Sequence, residues 1–226
     1  NDSTDKGFQP HGKQVLEPHG IWYTPVTGIW QTVWIEPVPA ANRIEGVTTR
    51  SDIHAGVLSV DVKTARTGSD RVCVTLSADG KTLAERSSMA GQPVHLAVEH
   101  PRLWSPDDPY LYDLTVTLVR DGRVIDRAES YAALREIATG RDANGIERMT
   151  LNGRPLFHFG PLDQGWWPDG LYTAPTDEAL LYDIRFTKQL GFNMIRKHIK
   201  VEPERWYWHC DREGILVWQD MPSGDM

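Results

Sequence analysis

Residues 191–222 read GFNMIRKHIKVEPERWYWHCDREGILVWQDMP, and no other stretch limits so narrowly what this chain can fold into. A short apolar run, 192–197, is entered through Gly191. Pro203 then opens a helix where a missing N–H costs nothing, with Glu202 and Glu204 beside the positive end of its dipole. Trp206, Tyr207 and Cys210 fall at helical spacing and give that helix one apolar side. Gly214 ends it, and 215–218 is a second apolar strand followed by Gln219 and Asp220. Two buried strands joined by a helix predict a parallel pair. Polar residues sit at the carboxyl ends of both: Arg196, Lys197 and His198 after one, Asp220 after the other. Barrels and open sheets of this kind place their chemistry there.

The residues before it repeat the pattern. Residues 156–160 read as a strand, and 163–173 (DQGWWPDGLYT) as a long loop at its carboxyl end. Thr176 caps a helix with Asp177 and Glu178 in its first turn. Leu180, Ile184, Thr187 and Leu190 share one side of that helix, and Gly191 terminates it. Strand, helix, strand, helix, strand from 156 to 218 makes two βαβ units and therefore a parallel sheet. A glycine-rich phosphate loop does not follow the first strand, so a nucleotide-binding reading has no support. A closed (β/α)8 barrel takes about 250 residues, so the remaining length accommodates three of its eight strands.

Upstream, the period changes to two. Residues 56–64 alternate Leu58, Val60 and Val62 against Val57, Ser59 and Asp61. In 71–78, Val72, Val74 and Leu76 share a face, and Asp79-Gly80 turns the chain into a hairpin. Residues 94–98 and 111–120 alternate likewise, and Asp121-Gly122 turns the latter back into 124–126. From 42 to 137 this predicts an antiparallel sandwich of immunoglobulin-like size. A polar connector, 141–147, follows, and Asn152-Gly153 marks a further hairpin. Before the sandwich, 21–24 and 29–35 read as buried, aromatic-rich β structure separated by Pro25 and Gly28. The chain opens on Asn1 with no signal-peptide pattern after it and stops just after a strand, at 222–226, so both ends have the look of cuts within a longer protein.

Composition narrows the function. The net charge of −7 argues against nucleic acid or an anionic membrane surface as partner. Cys73 and Cys210 lie far apart, which gives neither a disulfide framework nor a zinc site, and the eight histidines show no metal-ligand spacing. Nine Trp is an unusual number for 226 residues. Aromatic faces fill cores, and they also stack on the C–H faces of sugars.

The Arg after FNMI, followed by CDREGILVWQDMP, resembles the second and third barrel strands of glycoside hydrolase family 2, the family of β-galactosidases, β-glucuronidases and β-mannosidases. RLWSPDDPYLYDLTVTL resembles that family's immunoglobulin-like domain, and GKQ with IWYTPVTGIWQTVWIEPV resembles the closing strands of its jelly-roll domain. The resemblance implies a multi-domain chain: terminal strands of an incomplete jelly roll over 1–40, an all-β immunoglobulin-like sandwich over 41–140, and the first three β/α units of a TIM barrel over 141–226. It implies a fragment of a retaining hydrolase acting on a terminal β-linked sugar, with no cofactor and no metal. In that family the two catalytic glutamates come from the fourth and seventh barrel strands, so the fragment alone is expected to be inactive. A non-catalytic carbohydrate-binding or spacer module is the alternative.

Five residues are the candidate substrate-binding set: Asp163, Trp166, Arg196, His198 and Asp220. By resemblance Arg196 supports the nucleophile; a guanidinium there keeps a neighbouring carboxylate ionised and oriented. His198 can hydrogen-bond a sugar hydroxyl. Asp220 either contacts substrate or pairs with Arg196 or Lys197. Asp163 can accept from two hydroxyls, and Trp166 offers an apolar platform. Lys197 and Lys200 read as solvated or paired surface charges. Strand-end placement predicts that Asp163, Arg196, His198 and Asp220 converge on one face.

Overall fold

A computed structural model describes residues 9–223. The chain divides into two units: Glu36–Phe157, and a second that joins the described parts of Asn1–Ile35 and His158–Met226.

The first unit is built on seven antiparallel strands: β1 (Ile44–Asp52), β2 (Val57–Thr64), β3 (Arg71–Ala78), β4 (Lys81–Met89), β5 (Val94–Ala97), β6 (Tyr112–Arg120) and β7 (Arg123–Ala132). They form two sheets, ordered β1-β2-β5 and β4-β3-β6-β7. One apolar cluster draws from both sheets, so the sheets are the layers of a sandwich. The predicted alternation decides which side chains enter it: Leu58, Val60, Val72, Val74, Leu76, Leu114, Val116 and Leu118 are buried at each second position. Asp79-Gly80 and Asp121-Gly122 have positive φ at both residues, as a two-residue hairpin requires. A smaller sheet continues the unit, with β8 (Ile137–Arg141), β9 (Glu147–Leu151) and β10 (Arg154–Pro155) in the order β10-β9-β8. The connector expected at 141–147 is the turn of the β8–β9 hairpin. It is closed by Asp142, whose carboxylate accepts from the Asn144 and Ile146 N–H groups and from Arg148.

The second unit holds the parallel sheet. β11 (Leu162–Asp163), β12 (Met194–Lys197) and β13 (Leu216–Gln219) lie side by side in that order. Helix α1 (Asp177–Gln189) connects the first two strands, and α2 (Glu204–Glu213) the last two. Thr176 caps α1 by accepting from the Ala179 N–H, and Gly214 ends α2 in the left-handed conformation. Leu180 and Ile184 of α1 and Trp206 and Cys210 of α2 pack on Ile195 of β12.

Three expectations need correction. The first parallel strand is the two-residue β11, not 156–160. Residues 159–161 do run beside β12, but Pro161 has no N–H for a ladder. At Gly160 a Cβ would lie 1.6 Å from the Met194 carbonyl oxygen, so the chain approaches more closely than strand spacing allows. Leu190, placed on the buried side of α1, lines the same cavity as Leu180 and Thr187 but is exposed, at the open last turn of the helix. Finally, 21–24 and 29–35 are not buried strands. Tyr23 makes an isolated bridge to Gln14, and Ile29, Val33, Trp34 and Ile35 are exposed. Among the described residues no strand pairs with this segment, and its backbone is held at single points, such as the Tyr23 N–H on the Lys13 carbonyl and the Trp30 carbonyl on the Thr173 hydroxyl.

Candidate functional site

The register of the parallel sheet sorts its side chains. Leu162, Arg196 and Trp218 are paired across the three strands, and Asp163, Lys197 and Gln219 form the next row. Paired residues share a face and successive residues alternate. Ile195 packs under the helices, so Lys197, two residues on, also faces them. Arg196 faces the other way.

On the Arg196 face, one carboxylate gathers a guanidinium and an imidazole. Asp220 Oδ2 accepts from Arg196 Nε at 2.9 Å and lies 2.7 Å from His198 Nδ1. Arg196 also approaches the same oxygen at 2.8 Å through its NH2 group. A carboxylate can only accept, so Nδ1 of His198 carries a proton and Nε2 is the free acceptor of the neutral ring. His198, then Arg196, hold the Asp220 carboxyl below the usual carboxylate range. The strand ends are fixed by backbone bonds that prolong the ladders: His198 N–H to the Asp163 carbonyl at 2.8 Å, and Asp220 N–H to the Lys197 carbonyl at 2.9 Å. Arg196 remains half exposed. Lower on this face, Trp218 Nε1–H donates to His158 Nδ1 at 2.8 Å, and burial favours the neutral His158 ring.

On the helix face lies a second, buried set. Lys197 Nζ donates to Asp163 at 2.6 Å and to Glu202 at 3.0 Å, and sits 4.3 Å from the centre of the Trp206 ring. Lys200 Nζ donates to the carbonyls of Gly165 and Tyr172 at 2.6 and 2.7 Å and reaches Glu202 at 3.0 Å. Both lysines are 1% exposed, and Glu202 is 4% exposed. Two ammonium groups face two carboxylates, so the set is neutral as a whole, as burial demands. Burial pulls the Lys200 pKa down, against the opposing pull of Glu202. Beside this set is a cavity of about 430 Å3, lined by Asp163, Trp166, Asp183, Lys197, Glu202 and Trp206 among others. Burial, reinforced by Asp163, raises the Asp183 pKa.

The structure thus brings together Arg196, His198 and Asp220 and separates Asp163 and Trp166 from them. The predicted convergence of four residues fails for Asp163, which is paired with Lys197 in register and turns with it toward the helices. Both of its carboxylate oxygens are occupied, one by Lys197 and one by the Gly165 N–H at 2.7 Å. Trp166 stacks on Tyr23, with ring centres 4.8 Å apart. Lys197 and Lys200 are not surface charges. The burial of Lys197 was accessible to sequence reasoning, since Ile195 and Lys197 occupy alternate positions of one strand. Among the described residues, no three His, Cys, Asp or Glu side chains gather as a metal site requires. No described helix is long and apolar enough to cross a membrane.

Known proteins share this plan. Residues 42–135 match the family model of glycosyl hydrolases family 2. A putative beta-glucuronidase of Formosa agariphila is 30% identical, over 92% of this chain and 20% of its own length. A beta-galactosidase of Lactococcus lactis subsp. lactis is 26% identical, over 89% of this chain and 20% of its own. The chain therefore spans about a fifth of the curated relatives it matches. The crystal structure of Ruminococcus gnavus beta-glucuronidase superposes with a TM-score of 0.69 at 22% identity, covering 80% of this chain and 30% of that one. At that identity the likeness is one of fold.

Proposed function

From the premise that this chain belongs to glycosyl hydrolases family 2, we propose that it is part of a hydrolase that removes a terminal β-linked sugar with retention of configuration. In this reading the sandwich of β1–β7 is the immunoglobulin-like domain, and β11, β12 and β13 are the first three strands of a TIM barrel. Residues 1–40 then belong to the end of a jelly roll. The observation that carries the reading is the Arg196–His198–Asp220 cluster, at the carboxyl ends of adjacent parallel strands where barrels bind substrate.

Retention needs two carboxyl groups about 5–5.5 Å apart, one as acid/base and one as nucleophile. The reading assigns that pair to later strands and gives Arg196, His198 and Asp220 the work of binding and orientation. Arg196 is held by Asp220 yet half exposed, so its guanidinium can still donate to a sugar or to a catalytic carboxylate. The free acceptor on His198 suits a hydroxyl donor. Asp163 and Trp166 support this wall from behind.

The full-length protein assayed against aryl β-glucuronides, β-galactosides and β-mannosides should turn over at least one, whereas residues 1–226 alone should turn over none. Arg196→Ala should lower turnover roughly ten- to a hundredfold through loss of a charge-assisted hydrogen bond. Arg196→Lys should restore part of it, since an ammonium cannot reproduce the planar fork. Saturable sugar binding without turnover would favour a binding module. Full turnover by Arg196→Ala would remove the proposed site.

A further inference from the structure

The buried charges behind the sheet and the cluster in front of it are joined by an unbroken set of hydrogen bonds. Glu202 Oε1 accepts from Lys197, the last residue of β12, and reaches Lys200. Lys200 clamps the loop after β11 through the carbonyls of Gly165 and Tyr172. The Glu202 N–H donates to the Tyr207 hydroxyl at 3.3 Å, and that hydroxyl donates to Gln219 Oε1. Gln219 Nε2 in turn donates to the carbonyls of Lys200 and Asp220, at 2.9 and 2.8 Å. Glu202 therefore ties together the segments that follow all three parallel strands, its carboxylate through Lys197 and Lys200 and its backbone N–H through Tyr207 and Gln219.

The backbone it restrains is not relaxed. Ile199, between His198 and Lys200, has φ of 56°, a conformation that a β-branched residue rarely adopts. Such a conformation persists only where its surroundings over-determine it. Gly12 is part of those surroundings, because a Cβ there would lie 2.7 Å from the Ile199 carbonyl oxygen. The residue that presents its imidazole to Asp220 is thus followed at once by a strained one, and that by a lysine tied to Glu202.

We propose that Glu202 is a positioning residue: from behind the sheet it sets where His198 and Asp220 meet in front of it. It touches neither of them. Its carboxylate fixes Lys197 and Lys200, and through Tyr207 and Gln219 its backbone fixes the carbonyl of Asp220. Because Glu202 and both lysines are buried, a loss at Glu202 is transmitted to its partners and not absorbed by solvent.

The test reads the cluster itself. In protein carrying 13C-labelled aspartate, the Asp220 carboxyl should titrate below the ordinary range, held there by His198 and Arg196. In Glu202→Gln its midpoint should return toward the ordinary value, and Glu202→Asp should recover part of the depression. In the full-length enzyme, an arm that rests on the function proposed above, Glu202→Gln should lower kcat roughly ten- to a hundredfold, as small misplacements do, with a smaller change in KM. A folded Glu202→Gln with an unmoved Asp220 midpoint overturns the proposal. Should Glu202→Gln fail to fold, Tyr207→Phe keeps the ring and cuts the path to Gln219, and an unmoved midpoint there overturns it equally. If the full-length protein hydrolyses no β-glycoside, the function falls while the Asp220 titration still decides the role of Glu202.

Discussion

Arg196 and Lys197 are adjacent in the chain, alike in charge, and face opposite sides of one strand. Lys197 is 1% exposed, and its ammonium is shared by Asp163, Glu202 and the Trp206 ring. Arg196 is half exposed and shares the single oxygen of Asp220 with His198. On the helix face the charges are desolvated and mutually cancelled, so that face can do little except hold a shape. On the other face solvent still reaches the guanidinium, which can exchange water for a ligand. The same contrast separates the two units. The sandwich buries Leu58, Val74, Leu76 and Val116 at 0% exposure, whereas the parallel unit leaves Leu162 at 52% and Trp218 at 40% exposed on the Arg196 face.

The largest expected effect tests the buried face. Lys197→Met removes the cation between Asp163 and Glu202 and leaves two carboxylates with one lysine. Breaking a buried pair by deleting one partner costs about 3–5 kcal/mol. Urea denaturation followed by tryptophan fluorescence should show the transition of the parallel unit displaced by about that amount, while the sandwich transition stays in place. A shift under about 1 kcal/mol, the value of an exposed pair, would mean that the two faces do not differ as described.

The next effect concerns the sandwich. Leu114 is 1% exposed at the centre of the apolar cluster. Leu114→Ala should cost about 2–5 kcal/mol, as large-to-small core changes do, and it should move the transition that Lys197→Met leaves alone. If both substitutions move one common transition, the chain unfolds as a single cooperative body and the contrast between the units is one of packing only.

How far the sequence carried these assignments follows from what each residue type can signal. The central strands β2, β3 and β6 were legible because their burial alternates with a period of two, and the hairpins because Asp-Gly and Asn-Gly supply positive φ. The strands β1 (IEGVTTRSD) and β4 (KTLAERSSM) gave almost no signal. They lie at sheet edges, and most of their side chains meet solvent. Segment 29–35 gave a false one, since apolar composition reports what a segment can bury and not whether a partner strand stands beside it. At the site, Arg196, His198 and Asp220 could be named from strand-end position. The role of Glu202 could not, because it comes from a return of the chain between Lys197 and α2 that no periodicity describes.

A third effect depends on pH and belongs to the sandwich. Asp70 is buried, accepts from Arg120 Nε and NH2 at 2.7 and 2.8 Å and from Asn42 Nδ2 at 2.7 Å, and its pKa is lowered to about 2, chiefly by Arg120. A carboxyl whose folded pKa lies below its unfolded value of 3.8 stabilises the fold fully above pH 3.8. That contribution is lost as pH falls through the window down to about 2. Thermal melts between pH 5 and pH 2 should therefore show the sandwich weakening across that window. Asp70→Asn should be less stable at pH 5 and flatter below it. An unchanged acid slope in Asp70→Asn would assign the acid sensitivity to other carboxylates, such as Asp108 and Asp142, which their arginine partners also hold low.

The smallest expected effect returns to the exposed cation. Arg196→Ala removes both bonds to Asp220, but the carboxylate left behind is partly open to solvent and keeps His198. Exposed pairs contribute about 0–1 kcal/mol, so the parallel unit should unfold within about 1 kcal/mol of wild type. The Asp220 carboxyl should meanwhile lose one of the two partners that hold it low and titrate somewhat higher, with His198 retaining part of the depression. The pair of outcomes matters more than either alone. A residue kept for stability would show a large shift in unfolding, whereas one kept for binding changes the electrostatics of its neighbour and leaves the fold alone. If Arg196→Ala costs as much as Lys197→Met, both cations are structural, and the open face of the sheet has no separate function to explain.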